Sequence, residues 1–137
     1  MHSLILTAML ALNLGPMGPD APAREPQLAA SGSTVALTFG AGSAIYFAAS
    51  HDSGRTFSAP VKVEQASNLL LTHHRGPRIA ISGKTIVISA ITSKAASSDA
   101  MAHGAGPDGD LFIWRSTDGG KTWSQAIRVN DVPNAPN

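Results

Sequence analysis

No cysteine occurs in the sequence, and that single absence excludes disulfide frameworks, thiolate zinc sites and thiol nucleophiles together. An excess of one charge sign is missing too. Ten Lys and Arg against nine Asp and Glu leave a formal charge of +1, which supplies no basic field able to hold a phosphate backbone. Nucleic acid is therefore not an expected partner. Charged residues reach only 14% while hydrophobic residues make up 43%, so the chain is too weakly charged for a coiled coil and too apolar for a disordered tail. The apolar run from Leu4 to Leu14 has eleven residues, short of the about 20 that cross a bilayer. What remains is a β-rich globular composition whose 137 residues hold one domain or part of one.

The Leu4–Leu14 run is followed by a Gly- and Pro-rich segment and by Ala21-Pro22-Ala23 before Arg24. This is the layout of a secretory signal, with His2 standing where Lys or Arg is usual. Residues 1–25 are accordingly expected to be signal peptide and linker, and the protein to be secreted or periplasmic. The competing reading is a buried strand or short helix of the mature fold.

Past residue 25 the chain repeats itself. The segment AIYFAASHDSGRTFSAPVKV (Ala44 to Val63) lies over DLFIWRSTDGGKTWSQAIRV (Asp110 to Val129) at a constant offset of 66, with six identities in 20 positions. Upstream, PQLAASGSTVALTFG (Pro26 to Gly40) lies over PRIAISGKTIVISAI (Pro77 to Ile91) at an offset of 51, with five identities in 15 positions. The offsets differ because the second copy alone carries a 15-residue insertion, inside 92–109. Each copy holds four short apolar runs separated by turn residues, which predicts a four-stranded antiparallel meander per copy, with strands a to d. Continuous apolar runs such as Leu111-Phe112-Ile113-Trp114 imply burial on both sheet faces. Sheets sandwiched between their own kind are propeller blades, here a first blade at 26–64 and a second at 65–137.

Both copies contain the pattern Ser-x-Asp-x-Gly-x-Thr-aromatic, as Ser50, Asp52, Gly54, Thr56 and Phe57 and as Ser116, Asp118, Gly120, Thr122 and Trp123. In such a turn the Asp accepts backbone N–H groups, the Gly takes positive φ and the ring folds back onto the sheet. The pattern closely resembles the Asp-box of the sialidase and BNR-repeat superfamily. That resemblance implies an all-β, six-bladed propeller, of which this chain supplies about two blades, and a structural role for the two motifs on the side away from the ligand face.

A duplicated unit is its own control, since a feature of one copy only is not needed to build the fold. Gln27 becomes Arg78 at the start of the innermost strand, and the insertion adds a polar loop beside the segment Leu70 to Gly76. The second copy is similar to the exo-α-sialidase blade that opens on an Arg-Ile-Pro motif, continues through a loop bearing the catalytic acid and closes with an Asp-box. On that resemblance Arg78 binds the sugar carboxylate, for which a planar fork of donors is suited. Asp99 is the acid/base residue, which must release and recover a proton. Asp108 and Asp110 compete with it, and Arg75 is an alternate or additional carboxylate binder. Arg78 is also readable as a surface ion-pair partner. Ala80 stands where the motif has Pro, and Ile91-Thr92-Ser93-Lys94 lacks the usual charged residue.

Adjacent His73 and His74 point to opposite faces in a strand and could meet one ion only in a loop, and no His/Cys/Asp spacing supports zinc. No metal and no cofactor are expected. Tyr46 reads as core, because Phe112 takes its place in the second copy. The family's nucleophile and remaining arginines come from later blades, so the chain reads as the N-terminal part of a larger protein, prone to associate through its open faces. The implied function of the parent is an exo-α-sialidase-like glycoside hydrolase acting on terminal acidic sugars of sialoglycoconjugates. The alternative is a non-catalytic propeller that binds glycan or protein.

Overall fold

The structure is a computed structural model that describes residues 22–66, 68–72, 74–93 and 109–133. Among these there are eight strands and no helix: β1 (Ala23–Ser31), β2 (Thr34–Ala41), β3 (Ala44–Ser50), β4 (Val61–Gln65), β5 (Arg78–Ser82), β6 (Thr85–Ser93), β7 (Gly109–Ser116) and β8 (Ile127–Arg128). They form two four-stranded antiparallel sheets in chain order, β1-β2-β3-β4 and β5-β6-β7-β8. No helix among the described residues is long and apolar enough to cross a membrane.

The duplication extends to strand register. Gln27 pairs with Thr38 as Arg78 pairs with Ser89, and Ser31 with Thr34 as Ser82 with Thr85. Between the middle strands, Val35 faces Ser50 as Ile86 faces Ser116, and Ala41 faces Ala44 as Thr92 faces Asp110. Tyr46 and Lys62 are matched by Phe112 and Arg128. A one-residue slip would turn every side chain to the wrong face, so equal registers mean equal faces. β1 opens at Ala23, upstream of the repeat, and a register shift between Arg24 and Gln27, where Glu25 takes φ 51°, separates its first two residues from the repeated run.

Alternation along β2 and β3 divides the first sheet's side chains between two buried faces. Ala36, Ile45, Phe47 and Ala49 share one apolar cluster with Ile86, Ile88, Ala90 and Trp114 of the second sheet. Leu37, Phe39, Tyr46 and Ala48 form a separate cluster, in which the Phe39 and Tyr46 rings stack at 5.4 Å. Tyr46 is thus core. Through the repeat, Ile88, Ala90 and Trp114 correspond to Leu37, Phe39 and Ala48. The front of the first sheet therefore packs on the back of the second, a head-to-tail contact that leaves each sheet's other face equivalent to one already used.

Two side-chain contacts tie the sheets together. Trp114, 1% exposed, donates its indole N–H to Glu64 Oε2 at 3.1 Å across the interface. Trp123 meets Phe47 edge to face at 5.2 Å. Such pairs contribute about 0.5–1.5 kcal/mol beyond the area they bury.

Candidate functional site

The strand order sorts the connections onto two ends of the molecule. One end holds the β1–β2 and β5–β6 turns together with the two Ser-x-Asp-x-Gly-x-Thr turns. The amide of Ser53 donates to Ser33 O at 2.9 Å, and in the second copy Gly119 donates to Lys84 O at 3.0 Å. The opposite end holds the start of β5, the end of β6 and the start of β7.

In the turns, Ser50 Oγ donates to Asp52 Oδ1 at 2.7 Å and accepts the Gly54 amide at 2.8 Å. Asp52 also receives the Thr56 amide at 2.8 Å and the Thr56 hydroxyl on its other oxygen at 2.6 Å. The second turn repeats this set, with Ser116 Oγ donating to Asp118 at 2.8 Å, and Thr122 giving its amide at 3.0 Å and its hydroxyl at 2.6 Å. The Lys121 amide adds a further donor to Asp118 at 3.0 Å. Gly54 and Gly120 take φ of 84° and 90°, where a side chain is strained. Phe57 packs on its own sheet's Leu37–Tyr46 cluster, whereas Trp123 lies in the cluster between the sheets.

These donors hold both aspartates well below the ordinary carboxylate range, the threonine hydroxyl first, then the threonine amide and the serine hydroxyl. A carboxyl whose pKa is depressed by folding stabilises fully above its unfolded value of about 4 and loses that contribution as pH falls toward the folded value. The denaturation midpoint is therefore expected to drop below about pH 4. Asp52→Asn together with Asp118→Asn is expected to lower the midpoint at neutral pH and flatten this acid limb, as followed by urea titration at a series of pH values. An unchanged limb would show that the turns do not set it.

At the opposite end residues 68–72 and 74–76 run across the sheet ends. Leu69 bridges to Thr92, and the Leu70 amide donates to Ile91 O at 3.0 Å, so this segment sits at the base from which the inserted loop leaves β6. Leu71 fills the space above Gly40 of β2, and the Glu25 side chain lies directly over Gly76. Thr72 and Arg75 exchange amide-to-carbonyl bonds of 2.9 and 2.8 Å, closing a tight turn. Arg78, exposed at the start of β5, donates from Nη2 to His74 O at 3.1 Å. β5 lies beside β1 and β2 of the first sheet.

The structure thus brings Arg75 and Arg78 to one end, together with the foot of the insertion. Asp99, His103 and Asp108 lie outside the described residues, as does His73. Asp110, on β7, accepts from Asn130 Nδ2 at 2.8 Å and lies 4.0 Å from the Arg128 guanidinium, a contact that ties the chain after β8 to the sheet. Among the described residues no three His, Asp or Glu gather as a metal site.

Sequence reasoning missed two acidic residues here. Glu25 falls before the repeat and its counterpart is Gly76, the residue it covers. Glu64 is matched by Asn130, and that asymmetry between copies is a signal that could have marked it as a partner in the sheet-to-sheet contact.

No protein-family model matches the sequence, and no curated protein does. Among solved structures, the chain is similar to the xylan β-1,4-xylosidase of Bacillus halodurans C-125, with TM-score 0.53 and 14% identity. The match covers 82% of this chain and 23% of the xylosidase. The likeness is one of fold, to part of a glycoside hydrolase, and the chain spans about a quarter of that enzyme's length.

Proposed function

We propose that the chain provides two neighbouring blades of a propeller glycoside hydrolase that removes terminal acidic sugars in the manner of an exo-α-sialidase. The single observation that bears most on this reading is the exchange of Gln27 for Arg78 at register-equivalent positions, on the end opposite the serine–aspartate turns. A residue that one copy does without is free to serve a ligand. The head-to-tail contact between the sheets supports a propeller, because stacking of that kind continues until a ring closes. The fold likeness to part of a xylosidase supports the broader class.

In this reading Arg78 is the carboxylate clamp. A guanidinium has five N–H donors, and the bond to His74 O uses one while fixing the fork's direction. Two parallel donors then meet the two oxygens of the sugar carboxylate. Arg75, held by the Thr72–Arg75 turn, is a second cation at the same mouth. Asp99, on the inserted loop, is the acid that protonates the leaving oxygen. The nucleophile and the remaining arginines belong to blades outside this chain, so the chain alone is expected to be inactive.

The test is hydrolysis of a fluorogenic sialoside, with a nitrophenyl β-xyloside in parallel, by the protein extended through its remaining blades. Arg78→Ala is expected to lower kcat/KM for the sialoside by about 10²-fold, the loss of two charge-assisted hydrogen bonds. Turnover of the xyloside alone, or unchanged sialoside turnover in the variant, would overturn the substrate assignment.

One observation favours a second reading, a non-catalytic propeller that binds glycan or protein by this same face. The Arg78 bond to the His74 carbonyl braces residues 74–76, which is work that a recognition surface needs with no chemistry attached. Binding of a sialoglycan by the extended protein without hydrolysis would select it.

A further inference from the structure

We propose a second ligand site on the opposite end of the molecule, a cleft between the two serine–aspartate turns that takes a sugar residue bearing an oxyanion, either sulfate or carboxylate. The cleft measures about 440 Å³ and is lined by His51 from the first turn and by Lys84, Thr117, Asp118, Gly119 and Lys121 from the second sheet. This volume falls within the range of about 300–1,000 Å³ usual for small-molecule sites.

The charge on its walls is not balanced locally. Asp118 is the one acidic group lining the cleft, and its two oxygens are already engaged by the Ser116 and Thr122 hydroxyls and by the Lys121 and Thr122 amides. Among the described residues neither the Lys84 nor the Lys121 ammonium has an ion-pair partner. Two lysines lining one opening draw an anion.

The comparison between copies sets Lys84 apart. In each sheet the turn after the first strand accepts a backbone amide from the serine–aspartate turn, through Ser33 O in one and Lys84 O in the other. That bond needs only a carbonyl, and the first sheet makes it with serine. The lysine side chain is therefore surplus to building the blade.

Neutral groups complete a site suited to a sugar better than to a bare ion. Thr117 offers an exposed hydroxyl, and beyond Gly119 there is open space where a Cβ would meet nothing within 4 Å, so a ring can approach the backbone. The His51 imidazole, its Nδ1 3.5 Å from Thr34 Oγ1, adds a flat wall from the neighbouring sheet. The lysine stems present apolar surface while their heads stay in water.

The experiment titrates this chain, followed by amide chemical shifts, with a sulfated disaccharide, a uronic-acid disaccharide, xylobiose, inorganic sulfate and an acidic peptide. The expected result is that at least one of the two charged disaccharides binds about tenfold or more tightly than xylobiose, with affinity falling as salt is raised. Lys84→Ser, which installs the first copy's residue, and Lys121→Gln are each expected to weaken it by about two- to fivefold. Arg78→Ala, at the other end, leaves the ligand-induced shifts of the Lys84, Thr117 and Gly119 amides unchanged, which separates this site from the carboxylate clamp proposed above. Inorganic sulfate or the peptide binding as tightly as the charged sugars, equal affinity for xylobiose, or no loss in Lys84→Ser would each overturn the proposal.

Discussion

Trp114→Ala is expected to destabilise the chain by about 3–5 kcal/mol, a large part of the roughly 5–15 kcal/mol that holds a typical domain together. Trp114 is 1% exposed and sits in the cluster shared by both sheets. Truncation removes its dispersion contacts and opens a cavity that flanking strands, fixed by their ladders, cannot close. It also strips Glu64 of the indole donor that reaches it from the other sheet, leaving a half-buried carboxylate short of a partner. Trp114→Phe separates the two effects. It keeps most of the ring, loses the hydrogen bond and is expected to be destabilised by about 1–2 kcal/mol. Urea midpoints monitored by far-UV circular dichroism decide the matter, and a wild-type midpoint in Trp114→Ala would mean that the sheets do not pack through this residue.

The second large effect is expected at Gly120. Its counterpart Gly54 has nearly the same φ, 84° against 90°, and the equivalent serine hydroxyl, Ser50 in place of Ser116, accepting its amide. The surroundings differ. A Cβ on Gly54 finds only Val35 Cγ2 at 3.9 Å, whereas a Cβ on Gly120 would run into the Phe47 ring of the first sheet. Gly54→Ala therefore meets backbone strain alone, about 1–2 kcal/mol. Gly120→Ala adds overpacking of about 1–3 kcal/mol, because Phe47 is buried and pinned against Trp123. The difference between the two variants measures the sheet-to-sheet contact with the turn's own strain subtracted. Equal losses would place Phe47 away from the second turn.

Strand positions and turn chemistry were legible in the sequence because both are local. Alternation, β-branched runs and the Ser-x-Asp-x-Gly-x-Thr pattern each act within a few residues, and the matching registers follow from the matching patterns. The run from Arg78 to Ser82 is a strand as its composition predicts, and Asp52 and Asp118 collect the turn amides that their spacing predicts. The two ends of the sheets were legible as well, since an up-and-down meander sends alternate connections to opposite ends.

The candidate site was legible only in outline. Arg78 was marked by comparing copies, but its bond to the His74 carbonyl depends on how the chain turns between Thr72 and Arg75, and no side-chain pattern specifies that turn. Glu25 over Gly76 escaped because the repeat begins after it. The contacts of Asp110 with Asn130 and Arg128 were not legible either, because these partners enter at the end of the second sheet, Asn130 lying 20 residues later in the chain.

What the amino-acid order determined by itself is the unit: two meanders, their faces, their turns and the exchange of Gln27 for Arg78 between them, set by hydrophobic period and local hydrogen bonding. What tertiary structure alone decided is how one unit meets the next. Trp114 reaching Glu64, Gly120 beneath Phe47, and Lys84 and Lys121 gathered with His51 around one cleft join residues far apart in the chain. Such contacts depend on shape and charge brought together when one sheet covers another, and no local pattern in the sequence encodes that meeting.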